Sequence, residues 1–479
     1  MILAIDVGTS SARASLYDTG GRGVADRFHQ VQLVARTTAD GGVEHDAARV
    51  VDAVVACVDA ACRGARPGEL AAVGVTTFWH GLLGFDTSGR PVTPVYLWAD
   101  TRSASDAALL RGALDEEALH ARTGCRAHSS YWPAKLRWLA RARPDEMRRV
   151  ARWGSIGEAL ELAIFGEAAT SVSMASATGL FDQAGMGWDV EAMAAAGIEP
   201  RHLFPVCDRD TARRGLRAPW AKRWPALRGV PWFPAVGDGA AGNVGSGCVD
   251  PARVALNVGT SAALRVATAT PAPPPRELWR YRLDRRLSLL GGATSEGGNV
   301  YAWCRDTLNL PGEAALDAAL AGVEPDGHRL TVLPFLAGER APGWRGNRRG
   351  AIAGLSLDTT PIAILRAALE AVALRLALVY EVLAPHAAPD HTIVASGGAL
   401  ARSRAWREIV ADALGRPITW LTEREATSRG AARLALHALG ALPDLAEAPP
   451  PGEIVAPDPA HHARYRDALE RQRRLDERV

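Results

Sequence analysis

Lysine is almost missing from this chain of 479 residues: only Lys135 and Lys222 occur, and arginine carries the rest of the positive charge. Alanine is abundant as well, so the bias reads as genomic base composition and not as function. The formal net charge is only +2 and no basic stripe is interleaved with aromatics, which argues against a nucleic-acid partner. The arginines of 280–286 and 471–474 read as solvated faces. The six cysteines (Cys57, Cys62, Cys125, Cys207, Cys248, Cys304) contain no Cys-x-x-Cys pair and have no matching histidine cluster. That argues against a zinc site or a disulfide framework, and such thiols fit a reducing cytoplasm. No apolar run approaches the roughly 20 residues of a membrane span, and Met1 to Asp6 reaches a carboxylate too early for a signal peptide. A soluble cytoplasmic protein without a membrane partner is expected. After the opening strand Ile2–Ile5 no Gly-x-Gly-x-x-Gly or Gly-Lys-Ser/Thr follows, so neither a Rossmann nor a P-loop phosphate site is available there.

What is present is a repeat. Val-Gly-Thr-Ser occurs as Val7-Gly8-Thr9-Ser10 and again as Val258-Gly259-Thr260-Ser261, each time at the end of an apolar, β-prone run. The first copy sits between Ile2–Ile5 and Ala12–Tyr17, so the pattern predicts a hairpin and not a strand entering a helix. A Gly-Thr-Ser turn offers backbone N–H groups and hydroxyls to a phosphate. The copies differ in the preceding residue: Asp6 could hold a metal ion, directly or through water, whereas Asn257 could not do so as an anion. With ordinary globular proportions of apolar (48%) and charged (23%) residues, the length and repeat together predict two domains. The boundary is placed so that 1–247 forms the first, 248–440 the second, and 441–479 a Pro-rich, then charged and helical tail packed on the surface.

Chemistry-bearing residues cluster at predicted element ends. A helical period runs over 46–63, and a buried strand from Leu70 ends at Phe78-Trp79-His80. Trp98-Ala99-Asp100-Thr101-Arg102 follows a short apolar run, and a helix begins at Trp132-Pro133. Gly237-Asp238-Gly239 places a carboxylate between glycines that permit close substrate approach, before a small-residue run suited to a helix N-terminus. Pro271 to Pro275 reads as a surface loop. A long apolar helix is expected over Pro361 to Leu383, and Ile393 to Ser396 runs as a strand into Gly397-Gly398.

These residues resemble the carbohydrate kinases of the FGGY family, which share the architecture of the actin and Hsp70 ATPases. The resemblance covers nearly the whole chain. It rests on Asp6-x-Gly8-Thr9-x-Ser11-x-Arg13, Trp98-x-Asp100-x-Arg102, Lys135-x-x-Trp138, Gly237-Asp238-Gly239, Gly259-Thr260-Ser261, Gly338-Glu339-Arg340-x-Pro342, Gly350 to Leu355 and Gly397-Gly398-Ala399 in family order. Within the family the chain is most similar to gluconokinases. Two departures stand out: Trp79 precedes His80 where Met is usual, and Arg402 follows the Gly-Gly turn where a small or amide residue is commoner.

The resemblance implies an α/β, duplicated, two-domain actin-like ATPase (ribonuclease H-like) fold with the active site in the interdomain cleft. It implies ATP and Mg²⁺ as cofactors and a sugar acid or sugar as the small-molecule partner, with a homodimer left open. Asp238 is then expected as the catalytic base, already ionised at neutral pH, although a helix N-cap aspartate would look the same. Asp6 falls to the Mg²⁺ shell, Thr9, Ser10, Ser11 and Arg13 to the phosphates, Gly259 and Thr260 to the opposing phosphate turn. Gly298, Gly398, Ala399 and Arg402 fall to the nucleoside. Trp79, His80, Asp100, Asp238 and Gly239 are expected to line the acceptor, which is gluconate or alternatively xylulose or another ketose or polyol. Arg102 could equally be a structural ion pair. A protein-binding ATPase of the actin or Hsp70 kind is the rival, but it gives Trp79-His80 and Asp100 no task.

Overall fold

The computed structural model describes residues 1–269, 272–423, 425–449 and 451–479; Pro271 of the expected proline-rich loop lies outside them. The chain divides into two compact units. One comprises Met1–Val249, Thr268–Leu289 and Glu425–Glu447, the other Asp250–Ala267, Leu290–Arg424 and Ala448–Val479.

In the first unit β1 (Ile2–Val7), β2 (Ser11–Tyr17), β3 (Gly23–Gln32), β4 (Ala72–Thr77) and β5 (Val236–Gly237) form one sheet in the order β5-β4-β1-β2-β3. β1 pairs antiparallel with β2 and parallel with β4. Buried on both faces, β1 and β4 read as continuous runs of apolar and small residues and not as alternating patterns. The helix Ala47–Ala61 is started by Asp46, whose carboxylate accepts from the N–H groups of Ala48 and Arg49.

In the second unit β6 (Arg253–Val258), β7 (Ala262–Thr268), β8 (Ser288–Thr294), β9 (Thr392–Ser396) and β10 (Ile418–Leu421) repeat that order as β8-β7-β6-β9-β10, with β11 (Pro451–Val455) added antiparallel to β10. β6 is antiparallel to β7 and parallel to β9, as β1 is to β2 and β4. The duplicated sequence motif therefore marks a duplicated topology, the actin-like arrangement.

The repeat is not identical in its turns. β1 and β2 are joined across Val7 and Ala12, leaving four residues between the paired positions, whereas Val258 pairs with Ala262, leaving three. Accordingly Gly8 N–H donates to the Ser11 carbonyl at 2.9 Å, and Gly259 N–H donates to the Ser261 carbonyl, one residue nearer, at 2.9 Å.

Two segments lie where sequence order does not put them. The helix Ala426–Ala438, expected with the second domain, packs in the first unit: Ala431, Ala432, Ala435 and Leu436 share a core with Ile2, Ala4, Tyr17 and Ala72. The C-terminal tail, expected on the surface, is built in. β11 extends the second sheet, Tyr465 and Gln472 of the helix Pro459–Arg478 are buried, and the Tyr465 hydroxyl donates to Glu370 at 2.9 Å.

The helix Ala426–Ala438 is clamped by backbone contact on two sides. A Cβ at Gly74 in β4 would lie 2.2 Å from the Ala431 carbonyl oxygen. A Cβ at Gly430 would lie 1.8 Å from the Ala241 carbonyl oxygen, and one at Gly245 would lie 1.7 Å from that of Ala426. Ala241 and Gly245 belong to the helix Asp238–Gly245, so Gly430 and Gly245 let two helix backbones touch. Adding a methyl group there displaces backbone, with no rotamer available to relieve it. Gly430→Ala is expected to destabilise the protein by roughly 2 kcal/mol or more, read from the urea midpoint. Gly112→Ala, on an exposed helix with open space around it, should be neutral or stabilising by up to about 1 kcal/mol.

Candidate active site

The first unit gathers two carboxylates. Asp6 stands in β1 directly beside Arg13 of β2 in the sheet register, and it is buried, with 2% of its surface exposed. Arg13 Nη1 donates to Asp6 Oδ2 at 3.0 Å and lies 3.7 Å from Glu425. Asp238, half-buried, opens its helix directly after Gly237, and its Oδ1 accepts the Gly239 N–H at 2.8 Å. Burial is the main cause that pushes the Asp6 carboxyl up to about 6; Arg13 opposes this and the Asp238 charge adds to it. Hard oxygen donors with an unfavourable charge on one of them suit a divalent cation.

Of the first turn's hydroxyls, Thr9 and Ser10 are open and Ser11 is not. Ser11 is fully buried at the start of β2, and its Oγ has no hydrogen-bond partner among the described residues. The turn itself is fixed from outside: the Thr9 carbonyl meets His45 Nε2 at 2.8 Å, and the Ser10 carbonyl accepts the Leu33 N–H at 2.8 Å.

Trp79 and His80 follow β4 into the same neighbourhood. Trp79 Nε1 donates to the Ser173 carbonyl at 3.1 Å, and Ser173 Oγ accepts the Gly237 N–H at 3.1 Å. The indole lies so close to Gly237 that a Cβ there would be 1.9 Å from its ring, so Trp79 packs on the residue that precedes Asp238. His80 has left-handed backbone (φ 68°), and its Nδ1 lies 2.7 Å from the Ala177 carbonyl. A carbonyl only accepts, so Nδ1 carries a proton. Around them stand Tyr131, Trp279 and Tyr281, with Tyr281 5.0 Å from the Trp79 ring and 5.4 Å from that of His80, and the Tyr131 and Tyr281 hydroxyls 2.5 Å apart. Sequence reasoning missed Trp279 and Tyr281. They come from a segment about two hundred residues on, and no local pattern marks them.

Asp100 is not an open acceptor ligand. It is buried, and it takes the Arg102 guanidinium at 2.5 Å and the Val43 N–H at 3.2 Å. Arg102 also reaches Glu44 at 3.1 Å and lies 4.5 Å over the Trp138 ring. The Asp100–Arg102 pair is thus structural, and Lys135 stands in its field. Burial pulls the Lys135 amine down to about 7, with Asp100 opposing, while Nζ donates to the Ser130 carbonyl at 2.5 Å.

The second unit brings together most of its expected nucleotide residues. Gly298 N–H donates to the Gly259 carbonyl at 2.7 Å, and Asn299 N–H donates to that of Thr260 at 3.1 Å. A Cβ at Gly298 would touch Ala399 at 3.1 Å. Gly259, Thr260, Gly298 and the Gly398–Ala399 turn therefore form one small, backbone-lined patch. Asn257 donates to Ser396 Oγ across the parallel strands, which ties this turn to β9.

The raised Asp6 carboxyl has a sign in stability. Folding favours its protonated form, so its contribution is fully present below about pH 4 and is lost as the pH rises through about 6. In EDTA, Asp6→Asn should therefore gain on the parent by roughly 3 kcal/mol between pH 4 and pH 8, measured by urea unfolding across that range. A pH-independent difference would remove the argument for a strained carboxylate.

The N-terminal domain of the FGGY family of carbohydrate kinases matches residues 1–245, and the C-terminal domain of that family matches 254–439. A gluconokinase of Bacillus subtilis is 26% identical over 453 residues, covering 92% of this chain and 88% of that protein. A glycerol kinase of Xanthobacter autotrophicus is 30% identical over 461 residues, covering 92% and 91%. Among solved structures, a ligand-bound xylulose kinase from Lactobacillus acidophilus superposes with a TM-score of 0.89 at 26% identity, and a gluconate kinase from the same organism with 0.88 at 26%; each covers 99% of this chain and 97% of the other. No helix among the described residues is long and apolar enough to cross a membrane.

Proposed function

The chain belongs to the FGGY family of carbohydrate kinases, and within that chemistry we propose that it transfers the γ-phosphoryl group of ATP to the terminal hydroxyl of D-gluconate. The observation that carries the mechanism is Asp238, half-buried on a helix start, in the electrostatic neighbourhood of Asp6. As the acceptor oxygen bonds to phosphorus and the bridging oxygen leaves with ADP, the hydroxyl proton passes to the Asp238 carboxylate. Asp6, with Asp238 beside it, is the side chain to hold Mg²⁺, which supplies neutralisation of phosphate charge when bound. Arg13 keeps Asp6 aimed and adds positive charge. Thr9 and Ser10 offer donors to the phosphates, as do Gly259 and Thr260. Gly298, Gly398 and Ala399 give the nucleoside a flat backbone surface. Trp79 and His80 line the acceptor, with Gly239 allowing it close approach to Asp238.

Gluconate is favoured by the likeness to proteins named gluconokinase and gluconate kinase across nearly the whole chain. A ketose such as xylulose is the second reading, favoured by the equal likeness to a xylulose kinase. A coupled ADP-release assay over gluconate, D-xylulose, L-ribulose and glycerol separates them: gluconate should give the highest kcat/KM, and turnover with a ketose alone would replace the substrate while keeping the kinase. Asp238→Asn should lower kcat by roughly 10²–10⁴ while the protein stays folded and still binds ADP. Near-normal turnover in that variant removes Asp238 from the role of base.

A further inference from the structure

A cavity of about 390 Å³ opens in the second unit, lined by Tyr301, Leu316, Asp317, Leu320, Arg402 and Ser403. Its size is that of a small-molecule site. It adjoins both elements of the backbone patch described above, because Tyr301 lies on the helix Gly298–Thr307 and Arg402 directly follows the turn Gly398–Ala401. The Tyr301 ring is stacked at 6.5 Å on the buried Trp406, which gives the cavity a supported aromatic wall. Leu316 and Leu320 add apolar surface. A flat aromatic base fits such walls.

The polar groups are complementary and unequally occupied. Arg402 is exposed and makes no hydrogen bond or ion pair among the described residues. Asp317 caps the helix Arg404–Leu414: its Oδ1 accepts from Ser403 Oγ at 2.5 Å and Ala405 N–H at 3.3 Å, while among the described residues its Oδ2 accepts only Arg404 N–H at 3.2 Å. Oδ2 therefore keeps a lone pair. The cavity thus presents a donor-only guanidinium and an acceptor-only carboxylate on separate side chains.

That pair does not select between the two kinds of purine. A 6-amino purine offers the N6 amino donor and the N7 acceptor, which Asp317 and Arg402 can serve. A 6-oxo purine offers O6 and N7 to the fork of an arginine and its N1 proton to a carboxylate. A single amide side chain serves N6 and N7 of the first pattern with its acceptor and its donor, whereas it has no second donor nitrogen to take O6 and N7 of the second together. We propose that this cavity is a purine pocket with relaxed base selectivity, in which Arg402 admits 6-oxo purine nucleotides alongside ATP. The proposal rests on the nucleotide-dependent kinase assigned above and specifies its phosphoryl donor.

The test is direct binding of ADP and GDP to the full chain without an acceptor, by calorimetry, together with Arg402→Asn. Wild-type protein should bind GDP within about tenfold of ADP, and Arg402→Asn should weaken GDP by roughly tenfold more than it weakens ADP. The ratio of kcat/KM for GTP and ATP should move in the same direction. A wild-type preference for ADP above about a hundredfold overturns the proposal, as does an equal loss of both nucleotides in Arg402→Asn, which would place Arg402 on the phosphates. Binding of neither nucleotide overturns the assignment of this patch to a nucleotide altogether. A failure confined to gluconate in the acceptor assay touches neither result.

Discussion

Two helix backbones meet without intervening side chains where Gly430 faces Ala241 and Gly245 faces Ala426, and the position of Asp238 depends on that contact. The helix it opens is short, Asp238–Gly245, and one so short does not hold itself in water. It is ordered because the helix Ala426–Ala438 lies against it on one side and against Gly74 of the central sheet on the other. The chain therefore returns to the first unit more than four hundred residues after leaving β1, and that return fixes the Asp238 carboxylate relative to Asp6. Trp79 completes the clamp by filling the space over Gly237.

The held geometry is electrostatically unfavourable for the protein's own charges. Asp6 is almost fully buried, is offset only partly by Arg13, and feels Asp238. Such strain persists only where surrounding structure over-determines it, and the rigid helix contact supplies that. A divalent cation and a phosphate chain would reverse the balance, since the same pair of carboxylates then meets positive charge. The second unit shows the contrast. Asn257, in the position equivalent to Asp6 on the duplicated hairpin, spends its amide on Ser396 and carries no charge. Under the proposed function the first hairpin handles a metal and the second only cradles phosphate.

Much of this was legible in the sequence because local patterns carried it. The twin Val-Gly-Thr-Ser turns marked both hairpins, continuous apolar runs marked the central strands, and the apolar run from Pro361 marked a long buried helix through Leu383. Asp238 stood out by its glycines. What stayed hidden was tertiary. Ser11 looks like part of the phosphate turn, but it pairs with Gln32 of β3 and is buried at the start of β2. Asp100 looks like a ligand because the Val43 N–H that it accepts, and the Glu44 that shares its Arg102, lie far back in sequence. Trp279, Tyr281 and the Ala426–Ala438 helix cross to the first unit by routes that no periodicity records.

The central claim is that turnover depends on Asp238 being held by backbone contact. The most direct measurement is kcat and the nucleotide KM of Gly245→Ala at a temperature where circular dichroism shows the variant folded. The account predicts a fall in kcat of about tenfold or more, of the size that small misplacements of a catalytic group produce, with the KM for ATP little changed. A folded Gly245→Ala protein with the parent's kcat would contradict it.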